Sequence, residues 1–289
     1  MAAVVCIGAA GCAVSKKTAV KPPQGAPQAL QTADKAQLVA RYNTLAGAVH
    51  SLNATVEMKL TAGSAYSGVI EQYHEVNGFI LAQRPASIRV IGQAPVVAKD
   101  IFDMVSDGAT FHVFIPSKNK FIEGPASFER AAAKPIENLR PQHLVDALFW
   151  KPIAEGQPVL FEEAEEDSGR YYVLTVARNA QQGGSSAGDW EIERKIWFER
   201  AGLSVSRVET YGSGGKVNSD VRYADWQQTG GAEFARQITV ARPEEGYTLA
   251  FTITKLALNQ PIPDERFVLR QPAGSEVVRV GPDAGQEQK

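Results

Sequence analysis

From residue 52 onward the chain alternates. In NATVEMKLTA, Ala54, Val56, Met58 and Leu60 are apolar, while Thr55, Glu57 and Lys59 between them are polar. A period of two sends the apolar set to one face of a strand. The habit continues through SGVIEQYHEV, FILAQRP, ASIRVIG, KDIFDMVSDG, ATFHVFIP and NKFIEG to Gly124. It resumes near 157–164, 170–178, 190–199, 203–212, 217–226, 232–241 and 247–256. The separators are turn formers: NG at 77–78, read as a tight hairpin, SDG at 106–108, then EDSG, QQGGSSAGD, RAG, GSGG, QTGG and PEEG. This predicts about a dozen antiparallel strands joined by hairpins. Strand–helix–strand alternation is absent, which argues against a parallel nucleotide-binding sheet.

Two stretches break the alternation. In KAQLVARYNTLAGAVHSL, Leu38, Tyr42, Leu45 and Val49 stand at spacings of four, three and four, which is one face of a helix. Thr32 or Asp34 can cap it. Within residues 125–152, Leu144, Val145, Leu148 and Phe149 form a second apolar stripe. Pro141 suits its first turn, and Lys151-Pro152 ends it. The predicted architecture is a highly curved antiparallel sheet with both helices on its concave face. Two helices leave part of such a hollow unfilled, so an apolar cavity is expected.

The 289 residues are 44% hydrophobic, enough for a large core, and the net charge of -2 supplies no basic field for nucleic acid. The only cysteines are Cys6 and Cys12, so the folded part holds no disulfide and no thiolate. MAAVVCIGAAGCAV, residues 1–14, is too short for a spanning helix and has the length of a signal-peptide apolar region. Ala9-Ala10-Gly11-Cys12 resembles the bacterial lipobox, with Ala9 where Leu is usual. The resemblance implies cleavage after residue 11 and lipidation of Cys12; two or more acyl chains give stable anchoring. Residues 15–31, rich in Pro, Gly and Gln, suit a tether. The expected organisation is a signal peptide over 1–11, a lipidated tether over 12–31, one domain over 32–272 and a disordered tail over 273–289.

No catalytic constellation emerges. His50, His74, His112 and His143 do not stand at ligand spacing, and neither a GxSxG elbow nor a phosphate-binding loop occurs. GSGG at 212–215 joins two strands and opens no helix. The acidic run 162–167 lacks the alternate spacing of a calcium loop and reads as a solvated strand end. A hydrolase built on dispersed carboxylates such as Asp100, Asp103 or Glu123 has no spacing to recommend it. Arg84, before Pro85 at a strand end, is more suggestive, because a guanidinium at the mouth of an apolar hollow can hold carbonyls or an acid with a fork of donors.

Several short segments resemble the LolA/LolB lipoprotein-localisation superfamily: Gln83-Arg84-Pro85, the run from Ser106-Asp107-Gly108 to Pro116, and the segment from Asn138 to Trp150, which is similar to the helix of the LolB branch. The similarity spans roughly residues 33–270. It implies a mainly β fold with two helical segments, an unclosed, strongly curved antiparallel β-barrel with a helical lid, holding lipoprotein acyl chains in an apolar interior. It also implies that Arg84 bonds to the lid and gates the ligand. By the same resemblance Gly92–Val97, with Pro95, Val96 and Val97 at its apex, is a membrane-transfer loop.

The function expected on these grounds is that of a non-enzymatic lipoprotein anchored in the outer membrane and facing the periplasm. It binds lipoprotein acyl chains or another lipid and acts in transfer to that membrane. A periplasmic carrier protein is the expected delivering partner; neither cofactor, metal nor nucleic acid is expected. Ala13, where Asp would signal inner-membrane retention, agrees with this location. The alternative is a non-catalytic structural or assembly lipoprotein that binds other envelope proteins and fills its hollow with side chains.

Overall fold

The computed structural model describes residues 29–64, 69–72, 75–95, 99–127, 140–166, 169–180 and 190–281. Helix α1 (Lys35–Ala48) is opened by a capping box. Asp34 accepts from the Gln37 backbone N–H at 2.8 Å, and Gln37 accepts from that of Asp34 at 2.9 Å. Seven strands follow: β1 (Ser51–Ser64), β2 (Val69–Gln72), β3 (Val76–Gln83), β4 (Ser87–Gln93), β5 (Asp100–Ser106), β6 (Thr110–Ile115) and β7 (Lys120–Pro125). Helix α2 (Pro141–Leu148) starts on Pro141, whose missing N–H would have had no helical partner. Then come β8 (Val159–Glu166), β9 (Gly169–Asn179), β10 (Trp190–Glu199), β11 (Ser204–Tyr211), β12 (Val217–Thr229), β13 (Ala232–Arg242), β14 (Tyr247–Leu258) and β15 (Glu276–Arg279).

Among the described residues all fifteen strands belong to one sheet, ordered β15-β7-β6-β5-β4-β3-β1-β14-β13-β12-β11-β10-β9-β8, with β2 paired to β1. Two antiparallel meanders, β3–β7 and β8–β14, are sewn together by β1. Met58 on β1 faces Val76 on one side and Phe251 on the other. The outermost strands β15 and β8 do not pair, so the barrel is unclosed. Residues from both meanders share one core with the helices. Leu52, Ala54, Val56 and Met58 of β1 lie in it with Ile88 and Val90 of β4, Ile196 and Phe198 of β10, and Leu38, Tyr42 and Leu144 of the helices. This is the curved, helix-lined sheet that the alternation and the resemblance implied.

The topology also explains where α2 sits. The chain must pass from β7, near one edge, to β8 at the opposite edge. It crosses the concave face, and six of the eight residues of α2 are buried: Pro141, His143, Leu144, Val145, Ala147 and Leu148.

Two expectations are corrected. Asn77-Gly78 is not a hairpin; both residues lie inside β3. A Cβ at Gly78 would overlap the Met58 side chain and the Ile91 carbonyl, so glycine there serves close packing rather than a turn. The tail expected to be loose from residue 273 is paired through Arg279. After β14 the chain passes Arg89, which donates to the Arg266 carbonyl at 3.0 Å. It then adds β15 parallel to β7, with Val277 beside Phe121. The two carbonyl-bound amides of Glu276 and Val280 secure its ends.

Candidate functional site

The last turn of α1 leaves carbonyls without helical donors. Arg84, in the turn between β3 and β4, supplies them. Its Nε donates to the Val49 carbonyl at 2.9 Å and its Nη2 to that of Ala46 at 2.6 Å. The positive charge also complements the negative end of the helix. Asn259, just past β14, donates to the Ala48 carbonyl at 2.8 Å and accepts from the His50 amide at 2.8 Å. The same Arg84 Nη2 reaches the Trp150 carbonyl, beyond the end of α2, at 3.2 Å, while the guanidinium carbon lies 5.1 Å from the centre of the Phe149 ring. One side chain thus ties the C-terminal ends of both helices to the sheet.

Beyond α2 the backbone is irregular and partly buried, and an unpaired polar group there would be costly. Each residue of this strap, residues 150–153, is met by a side chain. Tyr42 donates to the Lys151 carbonyl at 3.2 Å, Arg194 to that of Pro152 at 3.2 Å, and Asn43 to that of Ile153 at 2.9 Å. Asn43 also accepts from the Ile153 amide at 2.8 Å. Arg194 is only 4% exposed; its charge is met by Glu193 at 2.7 Å and by the face of Tyr42 at 5.7 Å. Burial pushes the Tyr42 hydroxyl up to about 12, so it remains a donor at neutral pH.

Aromatic rings fill the space under the strap. Tyr42 and Trp150 stack at 5.2 Å with planes within 3° of each other, and Trp226 lies 6.0 Å from Trp150. Between them and the sheet is a cavity of about 20 Å³, lined by Leu45, Val49, Arg84, Trp150, Trp226 and Phe234, among others. That volume suits about one water. Beside this cavity Tyr42, Phe149, Trp150 and Tyr223 carry large rings into the shared core.

The other end of α2 is fastened by His143, whose Nδ1 shares a 2.5 Å hydrogen bond with the Tyr247 hydroxyl. Burial, with Arg242 and Arg140 nearby, pushes His143 down to about 3 and keeps it neutral.

Of the residues singled out in the sequence, Arg84 stands at the junction just described. Pro95 is exposed beyond the opposite end of β4, where the Ala94 amide bonds to the Lys99 carbonyl at 2.9 Å, so the two are not brought together. Cys12, Val96 and Val97 lie outside the described residues, as does His74. The dispersed carboxylates are occupied. Asp103 grips Arg89 at 2.7 and 3.0 Å, Asp100 accepts from Gln93 at 2.8 Å, and Glu123 pairs with Arg279 at 3.0 Å. The acidic run as far as Glu166 lies on β8, where Glu163 and Glu166 meet Arg200 and Arg207 at 2.8 and 3.5 Å. GSGG is the hairpin between β11 and β12, with positive φ at Gly214 and Gly215. Among the described residues no group of three or more His, Cys, Asp or Glu is placed to hold a metal.

The sequence reading missed Asn43, Arg194, Tyr223 and Asn259. Arg194 did leave a signal: the inward positions Ile196 and Phe198, counted back by two, land on it, and an arginine in a core register needs buried partners. The others act across more than 70 residues of sequence and left none.

No family model and no curated protein matches this sequence. Among solved structures, the chain is similar to a LolA superfamily protein from Nitrosomonas europaea, at 13% identity over 82% of this chain and 99% of that one, with a TM-score of 0.47. It is similar to a DUF1329 family protein from Desulfovibrio piger at 14% identity, over 80% and 94% of the chains, with a TM-score of 0.47. Lipoprotein LppX of Mycobacterium tuberculosis aligns at 10% identity over 80% and 99%, with a TM-score of 0.25.

Proposed function

We propose that this protein shelters an acyl chain of a lipid or lipoprotein between its helices and the apolar concave face of its sheet. The observation that carries the reading is the fastening around Arg84. A sheet apolar across both meanders is covered by two short helices whose C-terminal ends are held to it largely through side-chain bonds to backbone carbonyls. Such bonds from a charged donor are individually worth about 1.5–3 kcal/mol, so they can be exchanged. Burying an alkyl chain gains about 0.8 kcal/mol per CH₂, which can offset displacement of the helices. The cavity beside Trp150 is the place where that displacement starts, and Arg84 gates it.

In this reading Cys12 carries the lipid anchor, residues 15–31 are the tether, and the Pro95–Val97 loop hands cargo to the outer membrane. Binding and transfer need no catalytic group. The test is to purify the full chain carrying Cys12→Ser from bacteria without detergent, identify co-purifying lipids by mass spectrometry, and titrate a fluorescent fatty acid. Co-purified lipid and saturable uptake are expected. Lipid-free protein that takes up no probe overturns the reading.

One observation favours a second reading. Beside Trp150 side chains leave a cavity of about 20 Å³, and close packing there suits an assembly lipoprotein that binds other envelope proteins. In that case the fatty-acid titration is flat, and cross-linking in cells yields a protein partner instead.

A further inference from the structure

We infer that Arg84 recognises a carbonyl oxygen at the head of the bound acyl chain, a proposal that rests on the acyl-binding reading above. Three of the five guanidinium N–H groups are used: Nε on Val49 and Nη2 on Ala46 and Trp150. Among the described residues, Nη1 donates to no acceptor, and Arg84 forms part of the cavity wall. A charged donor pair at the edge of an otherwise apolar space selects for an acceptor.

The geometry also provides for exchange. The Trp150 carbonyl is the longest of the three contacts, at 3.2 Å, and it belongs to the strap, which must move for a chain to enter. When Trp150 withdraws, a ligand carbonyl can occupy its place and engage Nη1 and Nη2 together. Nη2 keeps an acceptor in both states, so opening does not leave that donor unpaired. A cationic head is disfavoured. It would meet Arg84, and the nearby carboxylate in the lining, Glu233, is held by Arg41 at 3.2 Å. A carbonyl can come from a free carboxylate or from an acyl ester; both offer the same acceptor.

The experiment is competition against a fluorescent fatty-acid probe on the full chain, using dodecanoic acid, methyl dodecanoate, dodecylamine and dodecane. The acid and the ester are expected to displace the probe at concentrations about tenfold lower than the amine or the alkane. A preference for the acid alone assigns a free carboxylate, and equal action of acid and ester assigns the shared carbonyl. Arg84→Lys, which keeps the charge but loses the fork, is expected to reduce that selectivity while retaining uptake. Equal potency of all four ligands on the wild-type protein overturns the inference and leaves acyl binding standing. Failure of the probe and all four ligands to bind overturns acyl binding and this inference together. The wild-type series decides even if the variant is unstable.

Discussion

Trp150 and Tyr223 are joined twice. Their rings meet edge to face at 5.0 Å, and the indole N–H donates to the Tyr223 hydroxyl at 2.7 Å. That hydroxyl donates onward to the Ala147 carbonyl at 2.9 Å, and burial pushes its pKa up, so it keeps the proton it needs. The pair ties the end of α2 and the start of the strap to β12. Tyr223→Phe retains the ring and leaves the indole N–H and a helix-end carbonyl without partners. The expected loss is about 1–3 kcal/mol of unfolding free energy, measured by urea titration, with faster probe uptake.

Arg84→Leu removes donors from three carbonyls at once. A fall in stability of at least about 1–3 kcal/mol is expected, together with faster release of bound probe in stopped flow. Unchanged release kinetics would remove Arg84 from the gating role.

His143 links stability to acidity. It is neutral in the fold and titrates at about 3, against an ordinary value of 6.5. Above 6.5 both folded and unfolded chains are neutral at this site, so it contributes no slope. As pH falls from 6.5 toward 3, only the unfolded chain takes up the proton, and stability drops by about 1.4 kcal/mol per pH unit from this group. Urea midpoints measured across that window are expected to show the slope, and His143→Gln is expected to flatten it.

Gly78→Ala tests the corrected reading of Asn77-Gly78. Overlap with Met58 and the Ile91 carbonyl is expected to cost about 1–3 kcal/mol. A hairpin-turn glycine exposed to solvent would not respond to Met58→Ala. A packing glycine would be rescued by it in part, and thermal melts of the two single variants and the double variant distinguish these outcomes.

Cys12→Ser is expected to move the protein from the membrane fraction to the soluble fraction. Unaltered fractionation removes the anchor from the functional reading.

The residue pattern carried the elements well and the site only in part. β1 was legible because Ala54, Val56 and Met58 alternate with polar neighbours; these three are buried, and Leu60, read with them, is half-buried. α1 was legible from its stripe, although in its last turn Ala46 rather than Leu45 is buried, since a straight helix drifts from a fixed seam. Asn77-Gly78 misled because the turn preference of that pair is weaker than the steric demand of Met58 crossing β3.

By itself the sequence determined what depends on neighbours a few residues apart: which stretches extend, which coil, and which face of each is apolar. It also singled out Arg84 at a strand end. Only the tertiary structure decided that β1 would join the two meanders, that α2 would cross the hollow, and that Arg84, Tyr42, Asn43 and Arg194 would converge on one strap. It decided too that Tyr42, Trp150, Tyr223 and Trp226 would cluster beneath that strap. The reason is that carbonyl partners and packed volumes are set by contacts between residues far apart in the chain, and local periodicity carries no record of them.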